Sequence, residues 1–447
     1  MIRAGKLMGT SLVAVCVIAT ACSTSTDSNS QSSASTPAGS TSATSPTSAP
    51  PEFAATLTPL IEKTMADNVI PGSVVMVSWP GHGDWSRAFG TRTIGANEPM
   101  AVDDHFRVGS NTKTMTSTVI LQLVQEGKLA LDDPIGKYIP GVPNGDRITV
   151  AQLSEMRSGL YSYTLDPGFN ATLDADPGKV WRPQELLDIA FSHEVQFEPG
   201  ARFDYCNTNI VLLGLLIEQL TGKTASEAFA ERIFEPLGLK NTSLPPPADA
   251  AIPDPHPNGY SFGTNVSTIN TYELPAAEQP LALNGTLKPN NETDANPSWA
   301  WTAGGAISTM GDLATYVRAL VGGGLLDQQM QQIRLASITP TDPGNPAAAG
   351  YGLGIARFGP ELTGHDGQIP GFMTFMGHDP KTGLTITIGT NLATVPTGEG
   401  SALTILKAIM PVFYGEGSVP GADPAAAPSS ATPPTSTTEP ATPSPGG

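Results

Sequence analysis

Two stretches of this sequence carry almost no large apolar side chain, and they fix where a globular body can lie. Residues 23–52, STSTDSNSQSSASTPAGSTSATSPTSAPPE, and residues 416–447, EGSVPGADPAAAPSSATPPTSTTEPATPSPGG, are mostly Ser, Thr, Ala, Pro and Gly. Segments of that composition bury too little surface to offset the entropy lost on folding. The expectation is a disordered tether at 22–52, one large folded domain at 53–415 and a disordered tail at 416–447.

The residues ahead of the tether read as an export signal. Arg3 and Lys6 precede an uncharged, mostly apolar run from Leu7 to Ala21. The run is shorter than the ~20 residues of a membrane span and fits a signal peptide at 1–21. It ends in Ala19-Thr20-Ala21 before Cys22, which resembles a bacterial lipoprotein processing site. The departure is Ala19, where Leu or Val is more usual. The expectation is lipidation at Cys22, and a place outside the cytoplasm, anchored to the cell membrane. The other cysteines are Cys16, inside the signal, and Cys206. No disulfide within one mature chain is then available to hold the fold. The formal net charge of −18 argues against a nucleic-acid partner and against a basic membrane-binding patch.

Within 53–415 the strand-like runs sit at the two ends. GSVVMVSWP (72–80) and DWSRAFG (84–90) open the block; GLGIARFG (352–359), GFMTFMGHDP (371–380) and LTITIGTN (384–391) close it, before a last helix from SALTILKAIMPVFYG. The middle is helical. TKTMTSTVILQLVQEG stops at Gly127, and TNIVLLGLLIEQLTG is apolar nearly all round, hence buried. Thr149 with Gln152, and Thr224 with Glu227, read as capping boxes. This pattern is α+β: an antiparallel sheet from both chain ends, flanked by helices, with a central mostly helical lobe. Residues 244–300, rich in Pro and Asn, read as a functional lid or a small subdomain.

Four sequence patterns bear on chemistry. Gly259-Tyr-Ser-Phe-Gly263 matches the G-x-S-x-G elbow of α/β-hydrolases, but the prolines of IPDPHPN before it exclude the buried strand that motif needs. Ser110 stands three residues before Lys113 at the mouth of an apolar helix, so both lie on one face. Burial of that helix would desolvate Lys113 and favour a neutral amine able to carry a proton; the bland alternative is a helix cap and a solvated lysine. Tyr205-Cys206-Asn207 precedes the buried helix and offers a phenol as general base and an amide donor, or merely a turn. His365-Asp366-Gly367 leads toward a strand beginning near Phe372, and Gly367 would let a substrate backbone lie close; the alternative is a glycine-rich loop with a satisfied histidine. The six histidines form no metal motif.

Together these motifs are more specific than any one alone. FRVGSNTK, FDYCNTNIVLLGLLIEQLTGK, ERIFEPLGLKNT, AGGAISTMGDLATYV and GHDGQIPGF occur in the order of landmarks in the serine β-lactamase/penicillin-binding-protein-like superfamily, which residues 53–415 resemble. His365, where many members have Lys, points to the branch holding DD-carboxypeptidase-like enzymes, esterases and D-amino-acid peptidases. Tyr205 is similar to the base of class C enzymes, and no counterpart of a class A glutamate is evident. The resemblance implies an acyl-enzyme on Ser110, with Lys113 and Tyr205 relaying the proton. It also implies an oxyanion hole from the backbone N–H groups of Ser110 and Gln368. Asn207 and His365, with Gly367 and Gln368, would orient the substrate, and neither metal nor organic cofactor is required.

Asp366 stands where DD-carboxypeptidase relatives commonly carry Thr facing the substrate's terminal carboxylate. An Asp there would repel a carboxylate unless it pairs or turns away, which favours neutral esters or amides. The expectation is an exported serine hydrolase, acting as a monomer on a small ester or peptide. The alternatives are a D-alanyl-D-alanine carboxypeptidase or weak β-lactamase, and a non-catalytic lipoprotein that only binds wall peptide.

Overall fold

The computed structural model of the chain describes residues 50–344, 349–359, 362–416 and 418. The signal, Cys22, nearly all of the tether and nearly all of the tail lie outside the described residues.

The alternating runs from the two ends of the block pair with one another. The strands are β1 (Gly72–Trp79), β2 (Gly83–Gly90), β3 (Phe106–Arg107), β4 (Tyr260–Ser261), β5 (Asn290–Asn291), β6 (Ile307–Ser308), β7 (Thr339–Pro340), β8 (Gly350–Tyr351), β9 (Ala356–Phe358), β10 (Leu362–Ile369), β11 (Phe372–His378) and β12 (Thr385–Thr390). Eight of them form one sheet in the order β2-β1-β12-β11-β10-β9-β8-β7. Every neighbour is antiparallel, and β1 lies on β12 with Val75 opposite Ile388. The α+β reading holds: the first hairpin completes the sheet begun by the last strands.

The β-branched residues of β1, β11 and β12 and the phenylalanines of β11 are buried because helices pack on the sheet. Helix Glu52–Asp67 packs on helix Ser401–Tyr414. There the Phe53 and Phe413 rings meet edge-on, centroids 6.0 Å apart. In the helical lobe, Ile210, Val211, Leu212, Leu213, Leu216 and Ile217 of helix Asn207–Thr221 have no exposure. Burial at that level contributes ~1.5–3 kcal/mol per side chain, so this helix holds the lobe. Both capping boxes form as the sequence spacing requires.

Two local expectations need correction. The third motif does not precede a strand; it lies within one, β10, whose sequence LTGHDGQI is poor in strand formers. Pairing from β11 over Thr363–Ile369 overrides that propensity. GLGIARFG is not one strand: its first four residues, 352–355, are a bend that follows β8, and only Ala356–Phe358 is strand, β9. Residues 244–300 form short strands, turns and one five-residue helix rather than a domain with its own large core.

Candidate active site

The chain leaves β3 through Gly109, whose φ of +52° lies in the left-handed region that favours glycine. Helix Asn111–Gln125 begins immediately after. Ser110 occupies the cap position, yet its side chain caps nothing. Instead Lys113 Nζ donates to Ser110 Oγ at 2.8 Å and to the Ala303 carbonyl at 2.7 Å. Lys113 is only 1% exposed, so it is not a solvated lysine at a helix mouth. Its Nζ lies 4.9 Å from the centroid of the Tyr205 ring. The helix is braced from behind by Arg334, itself fully buried, which donates to Thr118 Oγ1 and the Thr114 carbonyl.

Tyr205 and Asn207 are delivered by the start of the buried helix. The Asn207 N–H donates to Ser162 Oγ at 3.1 Å and its Nδ2 donates to Thr164 Oγ1 at 3.1 Å. Cys206 between them points inward, 3% exposed, and burial pushes its thiol up to about 11. It is a packing residue.

β10 comes so close to the Ser110 loop that only glycine fits. A Cβ on Gly367 would stand 1.9 Å from the Val108 carbonyl oxygen and 2.9 Å from Ser110 N. Asn111 and Thr374 fasten this crossing. Asn111 Nδ2 donates to Val108 O and Thr374 Oγ1, and Thr374 Oγ1 is in turn 2.9 Å from Val108 O.

A cleft of about 710 Å³ opens over these groups. Ser110, Lys113, Tyr205, Asn207 and Gln368 line it, while His365 and Gly367 do not. The expectation that His365 touches substrate therefore needs correction. Its ring has no exposure, Nδ1 lies 2.6 Å from the Asp366 carbonyl and Nε2 lies 3.1 Å from Tyr351 Oη. A carbonyl only accepts, so Nδ1 carries the proton and the tyrosine donates to Nε2. Desolvation holds this histidine down at about 3, hence neutral. Its ring instead sits behind Tyr205, centroids 6.4 Å apart. Asp366 is 1% exposed and also lines no part of the cleft, so the carboxylate-repulsion argument built on it falls.

The roof is the irregular segment 261–272. Asp174 holds it by accepting from the Asn265 N–H (2.7 Å), Asn265 Nδ2 (2.8 Å) and the Val266 N–H (3.0 Å). Phe169, Trp299 and Phe262 give the cleft apolar walls. Trp301 is not among them; it is buried against helix Asn207–Thr221 at Gly214. Ser261 of the rejected elbow motif lies on β4 and accepts from the Gly371 N–H at 2.9 Å. Ala303, Thr374, Tyr351 and Asp174 carried no chemical motif in the sequence; only the fold brings them here.

The family model described as Beta-lactamase matches residues 57–408. The chain belongs to the Beta-lactamase family. Its fold is shared with a D-stereospecific amidohydrolase from Streptomyces sp., at 33% identity over 80% of this chain and 98% of that one, with a TM-score of 0.68. A D-amino acid amidase from Ochrobactrum anthropi SV3 aligns at 28% identity over 80% of this chain and 99% of its own, with a TM-score of 0.66. A curated D-aminopeptidase from Brucella anthropi is 28% identical over 68% of this chain. The chain spans 52% of that relative's length. This is a family of serine hydrolases that includes amidases and peptidases.

Proposed function

We propose that this chain hydrolyses an amide or ester of a D-amino acid derivative through an acyl-enzyme on Ser110. The observation that carries the reading is the buried Lys113 Nζ bonded to Ser110 Oγ at 2.8 Å, beneath Tyr205 and lining the cleft. A serine that caps no helix and a lysine withheld from water have a common use as nucleophile and proton carrier.

In this mechanism Ser110 Oγ gives its proton to the Lys113–Tyr205 pair and bonds to the substrate carbonyl carbon. The oxygen of the tetrahedral adduct accepts from the Ser110 and Gln368 N–H groups. The C–N or C–O bond breaks, the leaving group takes the proton, and the acyl group stays on Ser110. Water, giving a proton back to the same pair, releases the acid and restores Ser110. Asn207 positions the acyl part, while His365 acts from behind by fixing Tyr205. Export and anchoring through a lipid on Cys22 belong to the same proposal, resting on the N-terminal sequence alone.

The charges of the cleft favour a neutral leaving side over a terminal carboxylate. Among its described cationic linings, Arg202 is already held by Asp204 at 3.0 Å, and Lys113 by Ser110 and Ala303. This supports an amidase, esterase or aminopeptidase over a carboxypeptidase. The test is hydrolysis of D- and L-phenylalanine amides by the purified chain, with Ser110→Ala as control, beside intact mass after benzylpenicillin. D-selective turnover lost in the variant supports the proposal. A stable penicillin adduct without amide turnover favours the D-alanyl-D-alanine carboxypeptidase reading.

A further inference from the structure

We propose that Glu292 is the residue by which the cleft selects substrates whose acyl part carries a free α-ammonium group. This rests on the acyl-enzyme reading above and names its substrate class: amides, esters or short peptides with an unblocked amino-terminal D-residue.

Glu292 lines the cleft, and among the described residues no hydrogen bond or ion pair engages its carboxylate. The neighbouring acids are committed. Asp204 is paired with Arg202, and Asp174 spends both oxygens on the roof segment. Partial burial pushes the Glu292 carboxyl above its ordinary range, and the nearby Asp174 charge adds to this. A half-desolvated carboxylate of this kind gains most from an arriving cation, because the ion pair forms where water screens it least.

Its position agrees with the polarity of a bound substrate. Glu292 directly follows β5, and its N–H donates to the Gly259 carbonyl at 2.8 Å. The paired strand β4 carries Ser261, which grips the β10–β11 turn through the Gly371 N–H. Glu292 is thereby tied to the C-terminal end of β10. β9 pairs with β10 only at Leu362–Gly364, so the edge beyond is unpaired by that strand, and its Gln368–Ile369 end lines the cleft. An acyl chain laid antiparallel on this edge, its carbonyl at the Gln368 N–H, runs its amino end toward the β10–β11 turn. Its leaving group runs toward Gly364. The amine of the acyl part therefore arrives on the side of Glu292.

The experiment compares D-phenylalanine p-nitroanilide with its N-acetyl counterpart on the purified full-length chain and on Glu292→Gln. In parallel it measures binding of D-phenylalaninamide and N-acetyl-D-phenylalaninamide to Ser110→Ala, with and without Glu292→Gln. We expect a preference of at least ~10-fold for the free amine in both settings, carried by KM and Kd and reduced to about 2-fold by the glutamine. Glu292→Asp keeps part of the preference. Equal binding of the acetylated compound, a preference unmoved by Glu292→Gln, or no binding of either compound overturns the assignment. Amine-selective binding without any turnover would instead remove the hydrolytic reading and leave Glu292 in place.

Discussion

Gly109 and Gly367 interlock: a Cβ on either would enter the backbone of the other's segment, 2.8 Å from Gln368 N in one case and 2.9 Å from Ser110 N in the other. The two N–H groups assigned to the oxyanion are thus spaced by a contact that excludes any side chain. Gly367→Ala should separate them. The expected loss is ~100-fold or more in acylation rate, with a smaller stability cost of about 1–3 kcal/mol from overpacking. Single-turnover acylation and thermal unfolding of the same sample distinguish the two.

Lys113 is buried and shaped to its site, so its replacements should separate charge from packing. Lys113→Met keeps much of the stem but loses the proton carrier, and acylation should fall by ~10³-fold or more while the fold survives. Lys113→Arg should not rescue, because a guanidinium neither fits nor yields a proton. Tyr205→Phe keeps the ring over the ammonium and should cost ~10²–10³-fold in kcat. Substrate hydrolysis with circular dichroism as a folding control reads all three.

Thr374→Val conserves shape and removes one hydroxyl. Asn111 Nδ2 loses its 2.7 Å partner, and the hydroxyl's own contact with Val108 O goes with it. The cost expected is about 1–3 kcal/mol for the buried groups left short. A urea titration measures it. Activity should drop further than stability predicts, since the same network holds the Ser110 loop against β10.

His365 makes stability depend on pH in a defined direction. Its folded-state value is about 3, and unfolding returns it to ~6.5. Between these values the unfolded chain binds a proton that the folded chain refuses, so stability from this group is complete above pH ~6.5 and declines as pH falls toward 3. At pH 5 the loss amounts to roughly 2 kcal/mol. His365→Asn lacks this slope while losing packing at pH 7. The stability gap between wild type and variant should therefore shrink from pH 7 to pH 5 in urea unfolding, and a constant gap would refute the buried neutral ring.

The legible parts of this chain were those where local chemistry and tertiary role agree. Helix Asn207–Thr221 announced itself by an unbroken apolar sequence, and the Thr149 and Thr224 caps by their spacing. Ser110, Lys113, Tyr205 and Gln368, from three stretches far apart in the sequence, line one cleft. What failed was β10, because glycine, histidine and aspartate are weak strand formers and only the neighbouring strand makes them one. The direction of His365 was also hidden. Alternation places it on one face with Gly367 but does not say that Tyr351, fourteen residues earlier, will take its second nitrogen. Glu292 lay in a segment without periodicity, where no pattern ties a residue to a cleft.

The edge-on meeting of Phe53 with Phe413 has a topological consequence. The folded domain ends where it begins, so its backbone is nearly a closed ring, broken at one corner. Joined there by a short linker and opened at the glycine turn of 322–324, the ring would present the His365 segment before Ser110 and Tyr205 while the cleft stayed whole. The order of the three motifs records where the ring happens to be cut, and the chemistry is indifferent to it.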